Sequence, residues 1–546
     1  MLSDGIRHAN GMTYWCLLAA WCCQVATGTA RETEAGDRLA CTSIMVGRNA
    51  SADGSVMTSH TCDSWYRTWM QWVPAADYDK DTTMAIYDGL MHTENPQSMQ
   101  NVKVRGTIPQ AAHTYRILNT SYPCLNEKQL GIGETTIGGR EILRNKEGMF
   151  MIEELERVAL QRCTTAREAI TLMGALIKKY GYGDDGECLT IADTREVWIF
   201  EVFGEGPGKK GGVWAAVRIP DDEIAVSANV TRIGRLDLLD KDSYMASDNV
   251  KEVARRLKLW DGKEPFCFWK AYSGKNYIGE KKNYSVREWF IMDQLAPSRH
   301  FSEDAEELPL SVKPDRKVSV TDIAHLFNSY YEGTDKDYTQ RLYVPNKKKE
   351  KVGDSIPDRI VSPRANPWMK TDEQAIYYAL GDSTFKNWMR YIAVPQCAYS
   401  TIIQLRGGMP DEIGGVAWIA LDNPGESPRF PVFCGTTQLP KMLEICGNHT
   451  YRDDAAMWHF RQTNKLATVR WGTCRKTLEP AREYFLKKGL RELPYVESTY
   501  RTILAEEGPE AATEYLNGYT ADFIGAEIMK WDELYRTYWR QFWSGF

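Results

Sequence analysis

The chain lacks a strong excess of charge of either sign. Its 546 residues carry 67 lysines and arginines against 73 aspartates and glutamates, a formal net charge of −6 at pH 7. Proteins that bind nucleic acid usually concentrate positive charge on one surface, so we expect no nucleic-acid partner. The hydrophobic fraction of 43% and the 42 glycines are ordinary for a globular protein, which argues against intrinsic disorder.

The sequence also lacks the common metal-binding motifs. It contains no Cys-x-x-Cys and no His-Glu-x-x-His, the spacings that most often hold zinc. Its 13 cysteines show no dense disulfide framework, and no internal repeat is visible. We therefore expect neither a metal nor a cofactor.

Long apolar runs are scarce as well. The uncharged stretch 11–30 is mostly apolar and ends in small residues, which predicts a signal peptide over residues 1–30. Its apolar part is shorter than the roughly 20 residues that a membrane span needs, although a retained signal anchor stays an alternative. The charged residues 31–40 are interpreted as a propeptide. We expect export to a periplasmic, extracellular or lumenal compartment and no membrane contact beyond the signal peptide.

The most informative stretch of the sequence runs from Cys41 to Asp63. Two short apolar segments flank a turn that contains Asp53-Gly54, which predicts a β-hairpin. If the chain is cut before Cys41, the thiol and a free α-amine share one residue, and the amine could act as general base for the thiol. The alternatives are a buried strand cysteine and a lipid-attachment site. The second is disfavoured because charged residues separate Cys41 from the apolar run.

The pattern C-T-S-I-x-V-G-x-x-A-S-x-D-G-S-x-M-x-S-x-x-x-D resembles the mature N-terminus of the cysteine dipeptidases. These belong to the N-terminal nucleophile (Ntn) hydrolases and are related to penicillin V acylase and bile salt hydrolase. The resemblance implies an α+β fold, a four-layer αββα sandwich, and hydrolysis of short peptides with Cys41 as nucleophile. Matching segments extend over about residues 41–435.

The resemblance also implies a role for the end of the hairpin. Asp63 stands where these enzymes have an aspartate that orients the nucleophile. Three residues earlier they usually carry arginine, whereas this chain has His60. A protonated His60 could supply part of that positive charge and contact substrate; the alternative is a surface histidine.

Two asparagines match segments of the family. Asn126 in Asn-Glu-Lys-Gln-Leu-Gly and Asn229 in Val-Ser-Ala-Asn-Val-Thr-Arg are the expected oxyanion donors, because a side-chain amide donates hydrogen bonds without titrating. Asparagines in turns are the alternative for both.

Three further residues complete the predicted site. Arg287, in Ser-Val-Arg, is similar to an arginine that completes the site of bile salt hydrolases, with Arg232 as a competing candidate. Glu127 and Glu134 could bind the α-ammonium group of a dipeptide substrate.

The remaining chain predicts antiparallel sheets covered by helices. Amphipathic helices are expected over residues 151–162 and 165–180, and a hairpin or strand pair over 70–87. We expect a catalytic domain over 41–440 with a charged insertion over about 301–365. A helical C-terminal extension over 441–546 is expected to pack on the same domain.

Together these features predict a secreted cysteine dipeptidase that acts on short peptides after propeptide removal. An amidase or acylase of the same fold, acting on a non-peptide amide, is the first alternative. A catalytically inactive scaffold protein is the second, and the departure at His60 is its main support. A homo-oligomer is left open.

Overall fold

The computed structural model describes residues 41–274, 282–379 and 390–546. The predicted signal peptide and propeptide, residues 1–40, lie outside the described residues, so both stay predictions.

In the described residues the strands are, in chain order, β1 (Ser43–Val46), β2 (Val56–Cys62), β3 (Gln71–Val73), β4 (Ala76–Asp77), β5 (Thr83–Asp88), β6 (Lys103–Pro109), β7 (His113–Thr114), β8 (Ile117–Asn119), β9 (Leu125–Asn126), β10 (Gly131–Thr136), β11 (Glu187–Ala192), β12 (Val197–Gly204), β13 (Gly212–Ile219), β14 (Ile224–Ser227), β15 (Tyr244–Ala246), β16 (Ser311–Val312), β17 (Tyr343–Pro345), β18 (Arg359–Val361), β19 (Tyr399–Leu405), β20 (Gly415–Leu421) and β21 (Phe430–Phe433). The α-helices are α1 (Ile152–Arg162), α2 (Ala166–Tyr180), α3 (Val250–Arg256), α4 (Phe268–Tyr272), α5 (Val286–Leu295), α6 (Val320–Asn328), α7 (Thr371–Ala379), α8 (Asp411–Gly414), α9 (Ala456–Thr468), α10 (Trp471–Glu506) and α11 (Pro509–Gln541).

Two large antiparallel sheets dominate the part of the chain that the structure describes. One has seven strands in the order β16-β14-β1-β2-β19-β20-β21, and the other has eight in the order β15-β13-β12-β11-β10-β9-β8-β3. Strand β2 packs across the interface against β10, β11 and β12. The protein is therefore a mixed α+β structure, as predicted.

Helices pack on both sheets. Helix α2 contacts β11, β12 and β13, whereas α6 contacts β19, and α10 and α11 contact β21. The alternation of side chains along β1 shows how one strand serves two cores. Ile44 and Val46 belong to the hydrophobic cluster that includes Phe327 of α6, and Met45 between them belongs to the other large cluster.

The interface between the sheets contains polar side chains as well as apolar ones. Thr58 of β2 and Thr190 of β11 exchange a hydroxyl hydrogen bond of 2.6 Å, and Thr135 of β10 bonds Ser227 of β14 at the same distance. Every buried hydroxyl bonded in this way avoids the cost of burying an unpaired polar group. These bonds fix the two sheets relative to each other around the end of the hairpin.

Two glycines allow the sheets to approach closely. Strand β10 begins Gly131-Ile-Gly133. A Cβ atom at Gly133 would lie 2.5 Å from the carbonyl oxygen of Ser59 in β2, and one at Gly131 would lie 2.8 Å from a methyl carbon of Ile403. Both distances are shorter than van der Waals contact, so these strand positions require glycine.

Several predicted elements are confirmed. The hairpin of β1 and β2 forms around Gly54, whose φ of 77° is the left-handed conformation that the turn requires. The two predicted helices are α1 and α2, and a reciprocal capping box of Thr165 and Glu168 begins α2.

The predicted strand pair over 70–87 is wrong. Strand β3 pairs with β8, and β5 pairs with β6, so neither strand pairs with the other. Partner choice here is decided by non-local packing, which alternation along the sequence does not reveal.

The C-terminal region is helical, as predicted, in α9, α10 and α11. The region 301–365 is more integrated than an insertion, because β16 pairs with β14 at the sheet edge and Phe327 is fully buried. Among the described helices none combines the length and hydropathy needed to cross a bilayer.

Candidate active site

Cys41 lies immediately before β1, and only 1% of its surface is exposed. Burial raises the pKa of its thiol well above the ordinary value, and the carboxylates of Glu134 and Asp63 add to the increase, while the backbone N–H of Asp63 acts in the opposite direction. In the uncleaved chain the thiol is therefore protonated near neutral pH. It needs a base before it can act as a nucleophile.

The end of β2 surrounds this thiol with a fixed polar frame. The backbone N–H of Thr42 donates to the Thr61 hydroxyl at 2.9 Å, and that hydroxyl donates to Asp63 Oδ2 at 2.9 Å. Arg390 Nη2 donates to the same oxygen at 2.7 Å. Asp63 Oδ1 is buried and accepts no hydrogen bond within the described residues, so Thr61 and Arg390 hold this carboxylate through its other oxygen.

Arg287 connects the nucleophile to the predicted oxyanion donor. Its Nη1 donates to the carbonyl oxygen of Cys41 at 2.7 Å and to the Thr42 hydroxyl at 3.0 Å. Its Nη2 donates to Asn229 Oδ1 at 2.6 Å. The structure thus brings Cys41, Asn229 and Arg287 together, as the sequence predicts.

Asn229 itself is held in an unusual conformation. It follows β14 with φ of 65°, a left-handed conformation that asparagine tolerates better than most residues. Its Nδ2 donates to the carbonyl oxygen of Thr136 at 2.5 Å. Within the described residues that bond occupies one of the two amide hydrogens, which leaves the other for a ligand.

A helix cap explains why Arg287 lies where it does. Ser285 and Glu288 form a capping box at the start of α5, and Glu288 Oε1 also accepts the backbone N–H of Ala228 at 2.8 Å. One carboxylate therefore ties the N-terminus of α5 to the residue before Asn229. Because Arg287 is in the first turn, its guanidinium reaches Cys41 from this fixed point.

His60 is not a surface histidine, because it is 1% exposed. It lies on β2 with its ring centroid 5.4 Å from that of Tyr122 and 5.8 Å from that of Tyr399. Burial lowers the pKa of His60 to about 4. The prediction that a protonated His60 supplies positive charge near neutral pH is therefore corrected: the imidazole is neutral there.

Glu134 is the second carboxylate beside the thiol. Its side chain is fully buried, and its carboxylate, a His60 nitrogen and the Cys41 sulfur all lie within 4.8 Å of one another. Burial raises the pKa of Glu134 to about 7, and hydrogen bonds from Glu187, Thr136 and Cys41 oppose that rise. Burial also raises the pKa of Glu187 well above its usual value, so the pair keeps at least one proton near neutral pH.

Asn126 and Glu127 have other partners. Asn126 Nδ2 donates to the carbonyl oxygens of Leu160 and Cys163 at 2.8 and 2.9 Å, which occupies both amide hydrogens at the end of α1. These contacts contradict its predicted role as oxyanion donor. Glu127 Oε1 accepts the backbone N–H of Arg116 at 2.9 Å, so its carboxylate is committed to an internal contact.

The competing candidate Arg232 is also a structural residue. Its guanidinium donates to the carbonyl oxygens of Asn283 and Pro309, and its backbone N–H donates to Glu201 Oε1. These bonds hold together the loops around β14. The guanidinium of Arg232 is thus bonded to loop carbonyls, whereas that of Arg287 is bonded to Cys41.

Three residues of the site were not identified from the sequence. Arg390 reaches Asp63 across 327 residues of chain. Glu187 lies opposite Thr136 on the neighbouring strand β11, and its side chain hydrogen-bonds that of Glu134. Glu288 carried a detectable signal, because the Ser285-x-x-Glu288 spacing is that of a capping box. The other two arise from tertiary packing and have no local signature.

The comparison with protein families decides the classification. The model of peptidase family C69 matches residues 40–483, which is most of the chain and includes Cys41, Asp63, Asn229 and Arg287. The chain belongs to peptidase family C69. It is thus a hydrolase of the peptidase class, in agreement with the predicted family.

Curated relatives agree with this classification. The chain is 27% identical over 445 residues to a probable dipeptidase of Latilactobacillus sakei, covering 77% of this chain and 80% of that protein. It is 27% identical over 419 residues to a probable dipeptidase of Salmonella dublin, covering 73% and 82%. Dipeptidase A of Lactobacillus helveticus is 22% identical over 416 residues, covering 73% and 76%.

Proposed function

We propose that this C69 peptidase is an exported cysteine dipeptidase of the Ntn-hydrolase type, in which Cys41 becomes the N-terminal residue and the nucleophile. The arrangement of helices on two stacked sheets agrees with the αββα sandwich of that class. The observation that carries the proposal is the contact of Arg287 with both the Cys41 carbonyl and Asn229. Through these bonds one guanidinium links the residue proposed as nucleophile to the residue proposed as oxyanion donor.

The first step is activation of the thiol. The pKa of Cys41 is raised by burial, so the thiol alone supplies little thiolate. A free α-amine on the same residue, with an ordinary pKa of about 8, is a base of suitable strength within reach. It accepts the thiol proton as the sulfur attacks the peptide carbonyl, and it donates that proton to the leaving amine.

The second requirement is stabilisation of the oxyanion. Asn229 has one amide hydrogen left after its bond to Thr136, and Arg287 holds its Oδ1 so that the amide cannot rotate. A preorganised donor of this kind typically contributes about 3 kcal/mol to transition-state stabilisation. The resulting acyl-thioester is hydrolysed by a water molecule whose proton passes to the α-amine, and the thiol is then restored.

Glu134 is the candidate for binding the substrate ammonium group. Its side chain lies beside the Cys41 sulfur and is buried with Glu187. With a pKa raised to about 7, it is readily converted to carboxylate by a nearby cation, since an opposite charge favours ionisation. A free α-ammonium at a fixed distance from the scissile bond marks the first peptide bond of a peptide, and it is the group that N-acyl amino acids lack.

The experiment is N-terminal sequencing of the mature protein, wild type beside Cys41→Ala, together with assays on dipeptides and N-acyl amino acids. We expect wild type to begin at Cys41 and to hydrolyse dipeptides, and Cys41→Ala to retain residues before position 41 and be inactive.

Hydrolysis of N-acyl amino acids without dipeptides would replace the proposal with an amidase. A wild-type chain that begins before Cys41 and hydrolyses neither class would favour an inactive scaffold.

A further inference from the structure

A second group of metal-ligating side chains lies away from Cys41. Glu94 follows a short 3₁₀ helix (Leu90–His92), and Cys446 and His449 follow another (Lys441–Glu444). One carboxylate oxygen, the Cys446 sulfur and one imidazole nitrogen lie within 4.8 Å of one another. Nδ1 of His449 lies 2.5 Å from Glu94 Oε1. We call these three residues the Glu94–Cys446–His449 cluster.

The backbone around the cluster is held in place by specific bonds. The N–H of Cys446 donates to the carbonyl oxygen of Glu94 at 2.8 Å, which joins the two loops. The Thr68 hydroxyl accepts the N–H of Gly447 at 2.9 Å and points at the Cys446 sulfur, 4.0 Å away. The sulfur is therefore oriented by its surroundings before any ligand binds.

The imidazole is oriented too. The Trp65 ring stacks on His449 with 5.9 Å between centroids and 3° between planes. Asn448, between the cysteine and the histidine, donates to the carbonyl oxygen of Tyr66 at 2.8 Å and accepts from Arg461 at 2.8 Å. Neighbouring residues that fix the orientation of the ligating side chains are typical of metal sites.

We propose that Glu94, Cys446 and His449 bind a single Zn²⁺ ion, with water as the fourth ligand. Sulfur, imidazole nitrogen and carboxylate oxygen together form a donor set that zinc accepts in tetrahedral geometry. Cys446 is fully buried, whereas the side chains of His449 and Glu94 are 29% and 40% exposed. One side of the cluster therefore faces solvent, where water can complete the coordination.

The sequence gives little sign of this site because its ligands are far apart. Cys446-Gly-Asn-His449 has a short spacing, but the common zinc motifs pair two cysteines or two histidines. Glu94 lies 355 residues before His449. The site joins the loop that contains Glu94 to the segment before α9, and both contact the residues 65–68 that lead away from Asp63.

The test is zinc titration of the full chain, purified without a histidine tag and stripped with chelator, in competition with a chromophoric chelator. We expect wild type to bind one Zn²⁺ per chain. Glu94→Gln, His449→Gln and Cys446→Ser should bind at least about 100-fold more weakly. Cobalt in place of zinc should give a thiolate charge-transfer band that is absent in Cys446→Ser.

The matched controls are His113→Gln and Cys163→Ser. His113 pairs with Asp77 at 2.7 Å but belongs to no three-ligand group among the described residues, and Cys163 is a comparably buried thiol. Both should bind zinc like wild type. Equal affinity in wild type, Glu94→Gln and His449→Gln would overturn the proposal. These two ligands are partly exposed, so their variants decide the outcome even if Cys446→Ser does not fold. The result is independent of peptide hydrolysis.

Discussion

Arg390 and Asp63, 327 residues apart in the chain, form a buried ion pair with 2.7 Å between Nη2 and Oδ2. The resemblance to cysteine dipeptidases implies an arginine at position 60, three residues before Asp63, where this chain has a neutral histidine. Arg390 brings a guanidinium to the same aspartate from a distant segment. The site thus keeps a guanidinium paired with Asp63, although the residue at position 60 is neutral.

Loss of this ion pair should be costly. Arg390→Gln leaves a buried carboxylate without its cation, and we expect the free energy of unfolding to fall by about 3–5 kcal/mol. Arg48→Gln is the control, since Arg48 pairs with Asp221 at the surface with 49% of its side chain exposed, and such pairs contribute about 1 kcal/mol or less. Urea denaturation measures both. Similar losses in the two variants would show that Asp63 does not depend on Arg390.

Substitution of Asn229 should affect catalysis, whereas substitution of Asn126 should affect stability. Asn229→Ala should lower kcat/KM for dipeptides by about 10²–10³-fold, because it removes the proposed oxyanion donor. Asn126→Ala should lower the free energy of unfolding by about 1–3 kcal/mol, because it leaves the carbonyl oxygens of Leu160 and Cys163 unpaired, and kcat/KM per folded molecule should change little. Steady-state kinetics and urea denaturation of both variants test this prediction. It would be contradicted if Asn126→Ala lost activity per folded molecule while Asn229→Ala kept it.

Glu134 should make the protein less stable as pH rises. Burial raises its pKa from 4.5 to about 7, so between these values the folded chain holds a proton that the unfolded chain has released. Stability is then lost as pH rises from 4.5 through 7, by up to about 3 kcal/mol. Glu134→Gln should remove that loss, so its stability relative to wild type should increase between pH 5 and pH 8. Parallel pH curves for the two proteins would refute this.

His60 should make the protein less stable as pH falls. Burial lowers its pKa from 6.5 to about 4, so the unfolded chain binds a proton that the folded chain excludes. Stability is lost as pH falls from 6.5 to 4, again by up to about 3 kcal/mol, and His60→Gln should not show that loss. Denaturation midpoints of wild type and His60→Gln, measured from pH 4 to 7, test this prediction. A His60→Gln curve as steep as wild type would mean that another group is responsible.

Local signals predicted the parts of the fold that depend on local contacts. Gly54 in the hairpin turn and the Thr165 cap of α2 each specify their element over a few residues, and the family pattern located Cys41, Asn229 and Arg287. The pairing of β3 with β8 and the approach of Arg390 to Asp63 depend on which distant surfaces meet. The pattern also located Asn126, but it carries no information on which way an amide points.

The glycines of β10 have a consequence for the site. At Gly133 a methyl group would meet the carbonyl oxygen of Ser59, which is backbone and cannot move aside. The neighbouring residues are Glu134 and His60, which contact each other across the same interface through the Glu134 carbonyl oxygen. The spacing of β2 and β10 at the site therefore depends on an absent side chain: a methyl group at position 133 would push the two strands apart and so lengthen the contact between Glu134 and His60.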